Sequence, residues 1–262
     1  MKYFSKKKLT EIINFGKMPM ANNFVKSKKE KIFTYNLKLG FNNKFKLAQI
    51  YDFPKPTNMF NKNYAFISST SKHMEDHFKK LSEKLKRRKK KISILEIGCN
   101  DGVFLQNFKT NRHLGVEPSK NVYNLSKKKG LNVDNSFFNL NYIKKIKNKY
   151  EKFNIVFGSN VICHIPDQSQ LYNSVRKIIS KDGLFIFEEP YLLEMIKKTS
   201  YDQLYDEHIY IFSLTSVNLI AKKLGFNLFD AEKISTHGGS MRYYLSKKKF
   251  ARTRRLLNYL KI

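Results

Sequence analysis

From residue 92 onward the chain alternates short apolar runs with segments of helical period, and that alternation leaves few folds open. The runs are ISILEI (92–97), HLGVE (113–117), FNIVF (153–157) and LFIFE (184–188). Helix-like patterns separate them at 103–108, 119–129 and 168–180, the last with Leu171, Val175, Ile178 and Ile179 on one face. A further helix is expected at 215–224. Strands alternating with helices build βαβ units, hence a mainly parallel sheet with helices on both faces. Two last runs, 226–232 and 240–245, are joined by a short turn containing His237-Gly238-Gly239 and read as an antiparallel hairpin. Five parallel strands closed by such a hairpin predict an α/β, Rossmann-like sheet of seven strands.

Residues 1–72 follow no such order. Their apolar runs are short, Pro54 and Pro56 lie close together and Asn is frequent. They predict a small irregular or β-rich N-terminal lobe. A helix is expected over 73–91, because Met74, Phe78, Leu81 and Leu85 recur with a period near 3.6. Its end, KLKRRKKK (84–91), places cations where the helix dipole favours them. The main domain is taken as 73–247, and 248–262 as a basic C-terminal stub.

Among 262 residues, 51 Lys and Arg against 21 Asp and Glu give a formal charge of +30. That excess suits a polyanion or a phosphorylated small molecule, and equally a chain that is rich in lysine throughout. No recognised nucleic-acid module accompanies it, so a nucleic-acid partner is not expected. Cys99 and Cys163 alone cannot build a disulfide framework or a four-thiolate zinc site. The N-terminus carries no secretory signal and no apolar stretch approaches 18 residues. A cytoplasmic monomer with no membrane association is the expectation.

The first strand of the alternating region runs into Glu96-Ile97-Gly98-Cys99-Asn100-Asp101-Gly102. Glycines there permit a tight strand-to-helix turn and close approach of a ligand to the backbone. The spacing is Gly-x-x-x-Gly, not the Gly-x-Gly-x-x-Gly of dinucleotide sites, and no Gly-Lys-Ser/Thr phosphate loop is present. A ligand without pyrophosphate fits better, such as the methionine part of S-adenosylmethionine. About twenty residues on, Glu117 ends the second strand, where a carboxylate can accept both ribose hydroxyls. Ser159 and Asn160, at the tip of a later strand, suit the methionine end. The expected cofactor contacts are therefore Glu96, Gly98, Asn100, Asp101, Gly102, Glu117, Ser159 and Asn160. Nearby, His164 is either a base or a neutral histidine closing the pocket.

A second group of titratable residues is Tyr205-Asp206-Glu207-His208. A histidine near its free pKa accepts protons at neutral pH, and a neighbouring carboxylate can fix its tautomer. Glu188, Glu189 and Tyr191 end the preceding strand on the same side. The hairpin turn adds His237, Gly238, Gly239, Ser240 and Arg242, a geometry able to hold a phosphate or a sugar hydroxyl.

Taken in order, FGKMPMANNFV, NYAFISSTSKHMEDH, ILEIGCNDGVFL, GVEPSKNV, SNVICHIPD, FEEPYL, YDQLYDEHIYIFSLTS and HGGSMRYYL resemble the sugar C-methyltransferase family. The resemblance spans residues 11 to about 246. It implies an S-adenosylmethionine-dependent enzyme acting on a nucleotide-activated 4-keto deoxysugar. It implies His208 as the base, with Glu207 and Tyr205 in support. Tyr64, Ser68, Ser69, Tyr191 and the hairpin residues are then candidates to meet the sugar nucleotide. Members of that family usually carry two Cys-x-x-Cys pairs that bind structural zinc. Here those positions fall on Tyr3, Lys6, Asn42 and Phe45, so no zinc and no other metal is expected. The family also continues into a further α/β domain, which implies that this chain is a fragment or a minimal form. Three other readings share these residues: an O- or N-methyltransferase of the same fold, an RNA methyltransferase, and an inactive relative.

Overall fold

The computed structural model describes residues 9–25, 27, 29–88 and 91–261. Two sheets organise it. The larger has seven strands: β4 (Ser93–Ile97), β5 (Arg112–Val116), β6 (Val133–Asp134), β7 (Phe153–Ser159), β8 (Ile179–Pro190), β10 (Asn227–Ile234) and β11 (Ser240–Ser246). Their order is β10-β11-β8-β7-β4-β5-β6. The five strands from β6 to β8 are parallel, and β11 runs antiparallel to both β8 and β10. This is the expected seven-stranded α/β sheet.

Alternation along each strand divides the core between the two faces, as a period of two requires. Ile94, Ile155, Phe157, Ile186 and Tyr244 pack on one face with helix α2 (Lys72–Arg88), through Met74, Phe78, Leu81 and Leu85. Leu95, Ile97, Val156, Phe185, Phe187 and Tyr243 pack on the other, with α4 (Leu140–Ile146), α5 (Gln168–Ile178) and α7 (Leu214–Lys223). The helix expected at 119–129 is α3 (Lys120–Lys128).

Five elements differ from expectation. The region 103–108 holds only a 3-10 turn, Leu105–Phe108, in place of an α-helix. The helix expected to reach residue 180 ends at Ile178. β-branched Ile179 then opens β8, where it pairs with Phe153. The two-residue β6 and the short α4 and α6 (Leu192–Lys198) were too brief to register as periods.

The N-terminal lobe is a four-stranded antiparallel sheet, β1 (Leu9–Pro19), β2 (Thr34–Asn42), β3 (Leu47–Ile50) and β9 (Tyr210–Ile211). Its fourth strand comes from the loop that follows β8 and α6. A single turn of helix, α1 (Pro56–Met59), leads from this sheet to the 64–68 segment. Tyr3 and Lys6 lie outside the described residues. Asn42 is buried and its Oδ1 accepts from the backbone of Lys44 and Phe45, closing the β2–β3 turn. Phe45 is buried in the core with Leu39 and Ile50, and Phe15 and Phe41 pack against them. The basic end of α2 is partly committed inside the fold. Lys84 pairs with Glu232 at 2.6 Å, and Arg88 lies 4.0 Å from Asp230. The C-terminal helix α8 (Arg254–Tyr259) packs on β10, with Leu256 fully buried and Arg255 bound to Asp230 at 2.7 Å. Among the described residues no helix is long and apolar enough to cross a membrane.

Phe45 takes part in the apolar core beneath the N-terminal sheet. Phe45→Ala is expected to destabilise the chain by about 3–5 kcal/mol, the usual loss for a buried aromatic ring. Denaturant unfolding checks it, and a loss near zero would mean that this lobe does not depend on the ring.

Candidate active site

A cavity of about 400 Å³ opens at the carboxyl edge of the parallel strands. Ligands of open α/β sheets bind at that edge. Gly98 and Asn100 line it from the loop after β4, Glu117 and Pro118 from the end of β5, and Ser159, Asn160 and His164 from the end of β7. Tyr64, Phe66 and Ser68 cover it from the lobe side, and His237 reaches it from the hairpin. Phe60, Phe137 and Phe138 make much of the rest apolar. Among the described residues the walls contain Glu117 and Asp167 but no Lys or Arg, although the chain as a whole carries +30.

Local backbone chemistry explains the loop after β4. Gly98 and Asn100 both have positive φ, +64° and +50°. A Cβ on Gly98 would also meet Val161 Cγ2 at 2.6 Å, so only glycine fits. Asn100 tolerates the left-handed region better than most side chains. Glu117 then fixes the turn. Its Oε2 accepts from the Asn100 N–H at 2.9 Å, and its Oε1 from the Ser119 N–H at 2.8 Å. Burial pushes this carboxyl up, and those two backbone donors act against the shift. Each oxygen keeps a second lone pair, so accepting ribose hydroxyls remains compatible with bracing the loop.

The expected cofactor residues therefore divide. Gly98, Asn100, Glu117, Ser159 and Asn160 line the cavity, whereas Glu96, Asp101 and Gly102 do not. Glu96 is buried within β4, and Asp101 turns away to bind Lys129 at 2.7 Å. Gly102 is a packing position, since a Cβ there would fall 2.2 Å from Leu131 Cδ1.

The acid/base segment is buried between the two sheets. Asp206, Glu207 and His208 are 1–3% exposed. His208 Nδ1 lies 2.9 Å from the Gln203 carbonyl, which can only accept, so Nδ1 carries the proton and Nε2 accepts from the Tyr205 hydroxyl at 3.0 Å. This corrects the expectation that a carboxylate sets the tautomer: the Gln203 carbonyl does. Glu207 points elsewhere, accepting from Asn22 Nδ2 at 2.6 Å and from the Tyr64 hydroxyl at 2.9 Å. Burial raises its carboxyl to about 7, opposed by those two donors. Burial likewise lowers His208 to about 4, so its ring is neutral at neutral pH.

None of Tyr205, Glu207 and His208 is itself a wall of the cavity. His164 is. Its ring lies between Phe60 and His208, with centroids 5.4 and 5.2 Å away, and its Nε2 is buried without a partner. Burial holds its pKa well below the ordinary value, and the neighbouring His208 and His237 act in the same direction. Cys163, His164 and His208 bring three potential ligand atoms within 4.8 Å of one another. The two ring nitrogens of His208 are already engaged, so a metal there would have to displace one of those contacts.

Of the expected substrate residues, Tyr64, Ser68 and His237 line the cavity. Ser69 does not, and Tyr191 is buried in the core. Gly238, Gly239 and Ser240 form the hairpin turn behind His237, with the Ser240 hydroxyl spent on the Thr236 carbonyl. Arg242 is 5% exposed and clamped between Glu188 and Glu232. It therefore does not offer the anion contact expected of it. His77 holds the other oxygen of Glu188 at 2.7 Å, and Glu189 gathers the N–H groups of Val161, Ile162 and Cys163 on one oxygen. Asn22, Phe60, His77 and Asn121 were absent from the expected set, because each joins the site only through long-range contacts.

Residues 66–231 match the family described as a methyltransferase domain. The C-methyltransferase NovU of Streptomyces niveus is 25% identical over 240 residues, covering 88% of this chain and 56% of that protein, so the chain spans little more than half of this relative. A methyltransferase of Thermotoga maritima superposes with a TM-score of 0.51 at 19% identity, covering 67% of this chain and 92% of that one. The magnesium protoporphyrin IX methyltransferase of Synechocystis, solved with S-adenosylhomocysteine, superposes with a TM-score of 0.52 at 11% identity, covering 66% and 83%. The glycine turn and the braced acid of β5 fit an adenosyl group, and among the described residues no Lys or Arg of the cavity opposes a sulfonium. With well over half of its length inside the family match, the chain belongs to the methyltransferase-domain family.

Proposed function

We propose that the enzyme methylates carbon, next to the ketone of a nucleotide-activated 4-keto deoxysugar. The observation that carries this reading is the chain of neutral groups running from the cavity wall inward, His164, His208 and Tyr205. Neutral imidazoles can accept a proton from a carbon acid, and a phenol can donate to the oxygen that becomes negative. The similarity to a C-methyltransferase supports the same class. An O- or N-methyltransferase needs only a base near the methyl and would not require the Tyr205-Glu207-His208 cluster.

When bound, S-adenosylmethionine supplies an electrophilic methyl on a positively charged sulfur. Gly98, Asn100, Glu117, Ser159 and Asn160 are the residues that would hold it. Among the described residues the wall has carboxylates and no lysine or arginine, so these raise no repulsion against that charge. Proton loss to His208 Nε2 requires the acceptor to reach past the His164 ring, since His208 is no wall of the cavity; the Tyr205 hydroxyl then transfers its hydrogen bond from that nitrogen to the acceptor's oxygen. The enolate carbon then forms the new bond to methyl, and the sulfur keeps the electron pair of the bond that breaks. A second reading gives the base role to His164. It is favoured by the place of that ring in the cavity wall and by its unpartnered Nε2.

A methyl-transfer screen against nucleotide 4-keto sugars, read by mass, tests the acceptor class. A mass gain of one methyl is the expected result, and no gain with any of them would remove it. His208→Ala is expected to lower turnover by about 10²–10⁴-fold, with cofactor affinity nearly unchanged. Solvent-deuterium exchange at the carbon beside the ketone should vanish with it. Exchange that persists in His208→Ala but is lost in His164→Ala would transfer the role to His164.

Glu117→Ala removes both the loop brace and the proposed ribose acceptor. It should weaken S-adenosylmethionine binding by about 1.5–3 kcal/mol. Unchanged calorimetric affinity would be incompatible with the cofactor placement.

A further inference from the structure

The segment that carries Tyr64, Phe66 and Ser68 over the cavity belongs to no helix or strand until the 3-10 turn Ser68–Thr70. Backbone groups in such a segment need partners from elsewhere. Two asparagines of the large domain provide them. Asn100 donates its Nδ2 to the Phe66 carbonyl at 3.0 Å and accepts the Ser68 N–H on Oδ1 at 3.0 Å. Asn121, in the first turn of α3, donates its Nδ2 to the Tyr64 carbonyl at 2.7 Å. A carbonyl can only accept, so the amide of Asn121 has one orientation here. Its Oδ1 is buried and unpartnered.

We propose that Asn121 is a positioning residue for methyl transfer: by holding the Tyr64 carbonyl it sets the Tyr64 hydroxyl on Glu207 and thereby orders the acid/base segment. This rests on the reading of the site given above. The links are continuous. The Tyr64 hydroxyl meets Glu207 Oε2, and the other oxygen of Glu207 is held by Asn22 of the N-terminal lobe. Asn121 lies two residues beyond Ser119, whose N–H binds Glu117. One turn of chain therefore serves both the carboxylate that faces the cofactor and the strap that faces the acceptor. Asn100 secures the strap independently at Phe66 and Ser68. Removing the Asn121 donor should free Tyr64 while the rest of the strap stays in place.

Asn121→Asp is nearly isosteric and replaces the donor by an oxygen that repels the Tyr64 carbonyl; Asn121→Ala serves if that variant folds poorly. The first measurement needs no acceptor. The Glu207 carboxyl is titrated by carbon-13 NMR, its signal identified by its loss in Glu207→Gln. The Tyr64 hydroxyl favours the ionised carboxylate, so its loss should raise the midpoint, about 7 in the wild type, by roughly half a unit or more. Asn22, Asp206 and Tyr205 also face this carboxyl and are unchanged in the variant. Tyr64→Phe should give the same rise as the uncharged Asn121→Ala, and the double variant of Asn121→Ala with Tyr64→Phe no further one. The second measurement is turnover of an acceptor that the wild type methylates. It should fall by roughly 10–100-fold, the scale of a small misplacement, with calorimetric affinity for S-adenosylmethionine within about threefold.

An unchanged midpoint overturns the proposal, as does a further rise in the double variant. A raised midpoint with wild-type turnover overturns it too. A wild type that methylates no nucleotide sugar refutes the acceptor class instead, and the Asn121 coupling is then decided by the titration alone.

Discussion

Tyr210 and Ile211 pair with Gln49 and Ala48, and through this two-residue strand a loop of the large domain joins the sheet of the small one. The Ile50 N–H also bonds the Ile209 carbonyl at 3.0 Å. Asp206, Glu207 and His208 lie immediately before that strand. An exposed loop would leave them mobile and solvated. Here they are buried, and each meets a fixed partner: the Ala21 N–H for Asp206, Asn22 and Tyr64 for Glu207, the Gln203 carbonyl and Tyr205 for His208. The orientation that methyl transfer requires depends on such fixed geometry. The N-terminal lobe is therefore part of the site, because its backbone completes the sheet that holds the acid/base segment.

Four buried carboxylates stand along the carboxyl edge, and the fold treats each differently. Glu117 braces a turn through two backbone N–H groups. Burial raises Glu188, but Arg242 and His77 outweigh it and keep this carboxyl below its ordinary value. Glu189 is raised to about 7 by burial, despite three backbone donors on one oxygen. Glu207 has two neutral side-chain donors and, among the described residues, no cation paired with it. A buried carboxylate opposite a guanidinium is a structural clamp, whereas one held near neutrality can change its protonation in use. The environments thus separate Glu188, which sets the packing of α2 against β11, from Glu207, which sits where chemistry is proposed.

Much of the sheet was legible because period-two and period-3.6 patterns are local. The runs that became β4, β5, β7 and β8 are apolar on both faces, as buried parallel strands require. The glycine turn and Glu117 were legible for the same reason, since strand, turn and acid follow one another in the chain. The contacts of Asn22 and Asn121 were not. Asn22 reaches Glu207 across 185 residues, and Asn121 reaches Tyr64 across 57. No spacing rule connects such positions. Arg242 failed as an anion contact for a related reason: its neighbours in sequence suggest an open turn, while its neighbours in space are Glu188 and Glu232. The tautomer of His208 was also hidden, because a main-chain carbonyl leaves no trace in residue identity.

The contrast between the cavity and the surface has a kinetic consequence. Fifty-one cations stand against 21 anions over the chain, yet no Lys or Arg among the described residues lines the cavity. The long-range field is therefore attractive to anionic molecules, while the described cavity wall offers no lysine or arginine to retain them. Long-range attraction is screened over roughly 8–10 Å at ordinary ionic strength, but contacts inside a buried cavity are not. For an anionic acceptor, added salt should slow encounter and leave the chemical step alone. Methylation at carbon leaves the charge of such an acceptor unchanged, so the surface field acts alike on acceptor and product, and the two are told apart only inside the cavity.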